Sequence, residues 1–343
     1  MRHSTRRTSH AATLEDVAAA AGVSRATASR VLNNVPTVRP AAVEAVRRAA
    51  AELGYRPNPA ARSLARGRHD SVAVVLTERD LAEMPNSFFA QPLRGATSAV
   101  AKHAMQVVLL LAGPDQDDAV LLRYLDGSHV DGALVILEAH STYLPPVLHA
   151  AGVPVVYLGR PLDSDPAVHS YVDVDNYGGA RLATAELVAA GRTVIGTIAG
   201  PPDMGVAVDR LTGWRDVLTE AGLRVPKPAY ADFTADGGAN AMARLIAAEP
   251  DLDAVFVASD LMATGALKVL TASGRRVPTD ISMVGYDDSI LARTANPPLT
   301  SVHQPLEEMG RIMVDVLLAL IADPSTPAVQ KILPARLTRR ESV

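Results

Sequence analysis

The chain has 343 residues, 48% of them hydrophobic and 20% charged, which exceeds one ordinary domain and supplies a large core. There is no cysteine, which excludes a disulfide framework, a thiolate nucleophile and a zinc–thiolate site; no apolar run reaches the roughly 18 residues that span a bilayer, and the basic opening MRHSTRRTSH lacks the apolar stretch of a secretion signal, so a cytoplasmic protein without membrane contact is expected. The net charge of −4 is unevenly spread: residues 1–70 hold 12 Arg against five acidic residues, a net +7, and the rest carries −11, as expected of a head that meets a polyanion and a body that does not.

Residues 1–12 read as a disordered basic tail in which Arg2, Arg6 and Arg7 act through charge alone. Thr13 can cap a helix and Asp16 can return the bond, as in a capping box. Leu14, Val17, Ala18 and Ala21 then follow at i, i+3, i+4, i+7 spacing. Gly22 supplies a turn, and Ser24 is a good cap for a second helix from Arg25, which buries Ala28, Val31 and Leu32 and turns Arg25, Ala26, Ser29 and Arg30 outward. Two helices across a tight turn, the second showing basic and small side chains, describe a helix-turn-helix. A third helix is expected from Pro40 to a stop at Gly54, burying Val43, Val46, Ala50 and Leu53. Pro57 and Pro59 end it, and residues 59–66 suit one more short basic helix with Leu64 exposed. A lone helix that short is unstable in water and needs a partner surface to order it.

From Ser71 the pattern changes. VAVVL (72–76), QVVLLL (106–111), GALVIL (132–137) and PVVYL (154–158) read as buried parallel strands, with an amphipathic helix over Leu93 to His103 between the first two. A second set begins near Asp173: TVIGTIA (193–199), DAVFVAS (253–259) and ISMVGYD (281–287). The alternation predicts two doubly wound α/β sheets, hence two lobes with a cleft at the carboxyl ends of the strands. Strand ends nominate the cleft residues: Phe88 and Phe89 as a stacking face, Arg210 as a fork for hydroxyls or a carboxylate, Asp287 as a hydroxyl acceptor, Phe233 as a closing wall, and Ser259. Local packing or capping remains an alternative for each. Asp260 reads as the cap of the helix after it, and Asp173 and Asp175 as strand-end and cap residues rather than an acid/base pair. No GxxxxGK[ST] occurs, Gly178-Gly179 lacks dinucleotide-fingerprint spacing, and the nine His form no metal-like pair, so no enzyme, cofactor or metal is expected.

The run VAAAAGVSRATASRVLN followed by LGYRPNPAARSLA resembles the N-terminal signature of the LacI/GalR family of bacterial transcription regulators. VDVDNYGGARLATAELVAAG, GYDDSILARTANPPLTSVHQP and LPARLTRRESV extend the likeness over nearly the whole chain. The resemblance implies an α/β two-lobed periplasmic-binding-protein-like core behind an N-terminal all-α helix-turn-helix DNA-binding domain. Its expected boundaries are residues 13–56 for that domain, 57–70 for a hinge helix and linker, 71–170 plus 301–323 for the first lobe and 171–300 plus 324–343 for the second. In the family's image Arg25 and Ala26 face base edges in the major groove, and Arg30 reaches a base or a phosphate. Ser24, Thr27 and Ser29 bind phosphates or simply cap and pack. Asn58 and Arg62 belong to the DNA-binding hinge, and Leu64 wedges into the minor groove beside its twin from a second subunit, unless it is buried against the body.

By family position Arg210 and Asp287 lead the effector set, Phe89 comes next, and His303 is structural. Two departures stand out. Ser87 occupies a place where many relatives have Pro, and Gly159 one where many have Asp after the fourth strand. With apolar Met204, Gly205 and Val206 nearby, these differences put a typical hexose in doubt. The expected function is a homodimeric, sequence-specific regulator, a repressor of a palindromic double-stranded operator controlled by a small-molecule effector, a sugar or related metabolite. No leucine-zipper segment follows Val343, which favours a dimer over a tetramer. The alternative is a solute-binding protein of a transport system, which fits the two lobes but not the basic head.

Overall fold

Residues 12–32, 37–55, 68–77, 88–112, 118–125, 129–136, 148, 151–161 and 168–343 are described by the computed structural model. The chain divides into a head, residues 1–69, and a core, residues 70–343. In the head, Thr13 and Asp16 form the expected capping box: Asp16 N donates to Thr13 Oγ1 (3.3 Å) and Thr13 N to Asp16 Oδ2 (2.8 Å). Helix α1 (Leu14–Ala20) ends in a Schellman turn, with Gly22 at φ +66° and Val23 N donating to Ala18 O at 3.0 Å. Ser24 caps α2 (Arg25–Leu32) by accepting from Thr27 N at 3.1 Å. Helix α3 (Pro40–Glu52) has its Pro in the first turn. Val17, Ala18, Ala28, Val31, Val46, Ala49 and Ala50 close the head's core, with Val43 and Leu32 partly buried against it.

Leu53 does not join that core as expected; it is 42% exposed. Gly54, in the left-handed region at φ +61°, folds the chain back so that Tyr55 N reaches Ala50 O and Tyr55 packs on the cluster instead.

The core begins with β1 (Ser71–Thr77), α4 (Ala90–Lys102), β2 (Gln106–Ala112), α5 (Asp118–Leu125), β3 (Gly132–Ile136), β4 (Val155–Leu158) and β5 (Ser170–Val174). It continues through α6 (Asn176–Ala189), β6 (Ile195–Ala199), α7 (Gly205–Glu220), β7 (Ala229–Tyr230), α8 (Ala235–Ala248), β8 (Ala254–Val257), α9 (Asp260–Ala272), β9 (Ser282–Asp287), α10 (Ile290–Thr294) and β10 (Thr300–His303). It closes with α11 (Leu306–Ala322), β11 (Gln330–Leu333) and β12 (Arg336–Thr338). Two six-stranded sheets result, ordered β11-β5-β4-β3-β1-β2 and β12-β10-β9-β8-β6-β7. Pairing is parallel except between β10 and β12. Strands such as β3, β5 and β6 are buried along their whole length, the pattern of sheets covered on both faces.

The chain passes between the sheets three times, after β5, after β10 and after β11. This shifts the expected lobe boundaries. Residues 170–174 and 330–333 belong to the first sheet and 300–303 to the second, because β5 pairs with β4 (Val156↔Ser170) and β11 with β5 (Gln330↔Tyr171), while β10 pairs with β9. The sequence cue failed here because Asp173, a charged residue, looked like the end of a strand when it lies inside one. Helix α11 returns to the first lobe, where Met309, Met313, Val314 and Leu317 pack with Val72, Val74 and Leu134. No helix among the described residues is long and apolar enough to cross a membrane.

Candidate functional site

On the head, Ser24, Arg25, Ala26 and Arg30 are exposed, and Thr27 and Ser29 are half-buried. The two hydroxyls Ser24 Oγ and Thr27 Oγ1 lie 2.9 Å apart, so both already serve the helix start. Arg25 Nε stands 2.7 Å from Glu15 Oε1 on α1, both side chains being mostly exposed. The face therefore offers two Arg forks flanking the small Ala26, with one fork held by a carboxylate. Asn58, Arg62 and Leu64 lie outside the described residues, as does Ser87.

In the core, a buried polar network gathers beyond the strand ends. Arg210 on α7 is 4% exposed. Its Nε donates to Asn176 Oδ1 (2.8 Å) and its Nη1 to Ala258 O (2.7 Å); Nη1 also lies 3.9 Å from Asp287 Oδ1, and the guanidinium stacks 3.7 Å over the Tyr286 ring. Asp287 accepts from Gln304 Nε2 at 2.7 Å. Its backbone sits in the left-handed region at φ +109° and that of Asp288 at +51°, two strained non-glycine residues in succession. Asp288 is fixed there by Arg340, by Thr338 Oγ1 (3.2 Å) and by His303 Nδ1 (3.1 Å), which gives His303 its structural part.

The sequence placed other residues differently. Ser259, not Asp260, caps α9, its Oγ accepting from Met262 N at 3.2 Å. Asp260 is the helix's first residue and is fully buried, accepting from Ser289 N (2.7 Å) and Ser301 Oγ (2.7 Å). Burial first, and then the neighbouring Asp287 carboxylate, raises the pKa of Asp260; burial also raises Asp287 against the lowering pull of Arg210. Asp175 caps α6 as expected, accepting from Gly178 N at 2.7 Å.

Asp173 is more than a strand-end residue. Its carboxylate accepts from Arg160 N (3.0 Å), Val174 N (2.8 Å) and Asn176 Nδ2 (2.9 Å). Phe233, in the left-handed region at φ +63°, lays its ring against Gly200, where any Cβ would collide with it. Phe88 and Phe89 meet edge to face at 5.1 Å; Phe89 is sunk in the first-lobe core and Phe88 is the more accessible ring. Asn176, Arg160, Asp173, Asp209, Tyr286 and Gln304 went unnamed as cleft residues in the sequence reading. For Arg160, Asp173, Asn176, Tyr286 and Gln304 the usable signal is a position at a strand end or crossover; Asp209, inside α7, carries none. Among the described residues no His, Cys, Asp and Glu cluster could hold a metal ion.

Burial pushes Asp173 up to about 6, the hydrogen bonds from Arg160 N and Val174 N opposing it. The fold thus favours the neutral acid. The stability this contributes is fully present below the ordinary value of 3.8 and is lost as pH rises through about 6. The difference between the thermal unfolding profiles of the parent and Asp173→Asn is expected to slope over that window and to be flat above it.

Residues 13–58 match the family model of bacterial regulatory proteins, lacI family, and residues 184–343 that of the periplasmic binding protein-like domain. The HTH-type transcriptional regulator CelR of Thermobifida fusca is 48% identical over 332 residues, 96% of this chain and 98% of that one. The ribose operon repressor of Escherichia coli (strain K12) is 34% identical over 319 residues, 92% and 94% of the two chains. Among solved structures, a transcriptional regulator CelR–cellobiose complex superimposes with a TM-score of 0.77 at 46% identity, covering 97% of this chain and 100% of that one. A lac repressor dimer bound to operator and the anti-inducer ONPF gives 0.81 at 30% identity, covering 97% and 99%.

Proposed function

Given that the chain belongs to the lacI family of bacterial regulatory proteins, and is by that membership a DNA-binding regulator of transcription, we propose that it represses from a palindromic operator as a homodimer and is released by a gluco-disaccharide such as cellobiose. The observation that carries the proposal is the 48% identity to CelR across both head and core, together with a solved CelR structure that holds cellobiose. Arg25, Ala26 and Arg30 read base edges, and Ser24, Thr27 and Ser29 settle the recognition helix against phosphates. Asn58 and Arg62 contact DNA from the hinge, and Leu64 wedges into the minor groove. In the cleft, Arg210 and Asp287 bond sugar hydroxyls as paired donor and acceptor, Phe88 offers an apolar face to a sugar ring, and Phe89, Phe233 and Ser259 shape the walls.

A ligand shifts such an equilibrium only by preferring one conformer, and a roughly 100-fold preference corresponds to about 2.7 kcal/mol per site. Gel shift on a palindromic duplex is expected to show log affinity falling linearly with log salt, and cellobiose releasing the complex. Binding insensitive to salt would remove the DNA reading, and binding indifferent to cellobiose but sensitive to another sugar would correct the effector.

A further inference from the structure

Arg160 leaves the end of β4 in the first lobe, and Asp209 lies on α7 in the second. Arg160 Nη2 donates to both Asp209 oxygens, at 2.9 and 3.0 Å, and each side chain is about one-third exposed (33% and 31%). Both ends are tied down. Gly159, at φ +84°, turns the chain so that Arg160 N points at Asp173 Oδ2. Asp209 precedes Arg210, whose Nε reaches Asn176, and Asn176 Nδ2 returns to Asp173. These bonds close a circuit, Arg160–Asp209–Arg210–Asn176–Asp173–Arg160, that crosses between the lobes twice. The backbones also meet there: a Cβ on Gly205, the first residue of α7, would stand 2.7 Å from the Arg160 carbonyl.

We infer that Arg160 and Asp209 latch the two lobes together at the mouth of the cleft, and that the latch engages together with the Arg210 clamp through the circuit they share. A surface ion pair that bridges two mobile side chains contributes little. Here Asp209 stands on a helix, Arg160 is held by its backbone bond to Asp173, and the bond between them is charge-assisted. A two-state hinge is sensitive to such amounts, since about 1.4 kcal/mol changes a population ratio tenfold. Arg160 is thus a positioning residue for the effector site: it touches the lobes, and a sugar senses it through Arg210. That last consequence rests on the cleft being the effector site; the lobe separation does not.

The absence of cysteine from the chain allows a direct test. Spin labels at Ser98→Cys on α4 and Ala243→Cys on α8, both exposed positions, report the distance between lobes in the full-length protein. Dilution with unlabelled copies leaves one labelled chain per assembly. The separation of the structure is expected to dominate in the parent. R160Q and D209N should each move the ratio of that population to a longer-distance one by roughly three- to tenfold, and the double variant by no more than either single. Unchanged distance distributions in both single variants, or additive effects in the double one, would overturn the latch. Failure of the parent to bind a palindromic duplex would instead sink the regulator reading and leave the distance result standing. Where the latch holds, R160Q is also expected to weaken cellobiose binding by a similar factor with the cleft residues intact.

Discussion

Arg210→Ala is expected to abolish the response to cellobiose while the head keeps its affinity for operator. The guanidinium is buried, donates to Asn176 and Ala258, and faces the Asp287 carboxylate 3.9 Å away. Ala removes the fork and leaves two acceptors and a buried carboxylate without their cation, a loss on the order of 3–5 kcal/mol in the stability of the second lobe. Effector affinity should fall at least about 100-fold, because the same fork that holds Asn176 and Asp287 is the donor offered to hydroxyls. Arg210→Lys separates the two effects. It keeps the charge beside Asp287 and so recovers part of the stability, but its point charge cannot bond Asn176 and Ala258 together and should still bind the sugar weakly. Isothermal titration with cellobiose, thermal unfolding and gel shift on the same preparations read the three quantities. A normal sugar response in Arg210→Ala would clear Arg210 of the role.

The head was legible because its signals are local. The box at Thr13 and Asp16, the cap at Ser24 and the Pro at position 40 each act within one helical turn, and the structure shows each of them. Leu53 was misread because the turn at Gly54 re-aims Tyr55, and the choice between two apolar residues two positions apart depends on that turn. The buried strands were legible as apolar runs, but their partners were not: β11 and β12 are short and polar, and lie in different sheets although two residues separate them. Asp287 was legible as the last residue of an apolar strand, and Arg210, inside α7, through its family position. Asp173 and Asp260 were not recognised as network members, because a buried carboxylate looks like a cap in sequence, and its bonds to Arg160, Asn176, Ser289 and Ser301 come from residues up to 41 positions away. Gly159 illustrates the same limit. The missing acidic side chain was visible, but the left-handed turn it permits, which delivers Arg160 to Asp173 and Asp209, was not.

Arg25→Ala is expected to cost the largest share of operator affinity among single changes in the recognition helix. A bidentate Arg on guanine is worth about 1–3 kcal/mol of discrimination, and a twofold assembly uses the residue in both half-sites, giving about 2–6 kcal/mol. That is roughly a 30- to 10⁴-fold loss, with base preference relaxed where Arg25 reads and retained where Arg30 reads. Glu15 sharpens the test. Its carboxylate holds Arg25 Nε at 2.7 Å in the free chain, and where DNA draws Arg25 away, the carboxylate loses its partner beside a polyanion. Glu15→Gln should therefore tighten operator binding a few-fold in the parent without altering which bases are preferred. In an Arg25→Ala background the same change should act only as one fewer negative charge, smaller and independent of sequence. Selection of binding sites from a randomised duplex pool, run on the parent and the three variants, resolves affinity from preference. If Arg25→Ala returns the parent's base preferences, Arg25 does not read bases, and what it contributes to affinity comes through phosphates.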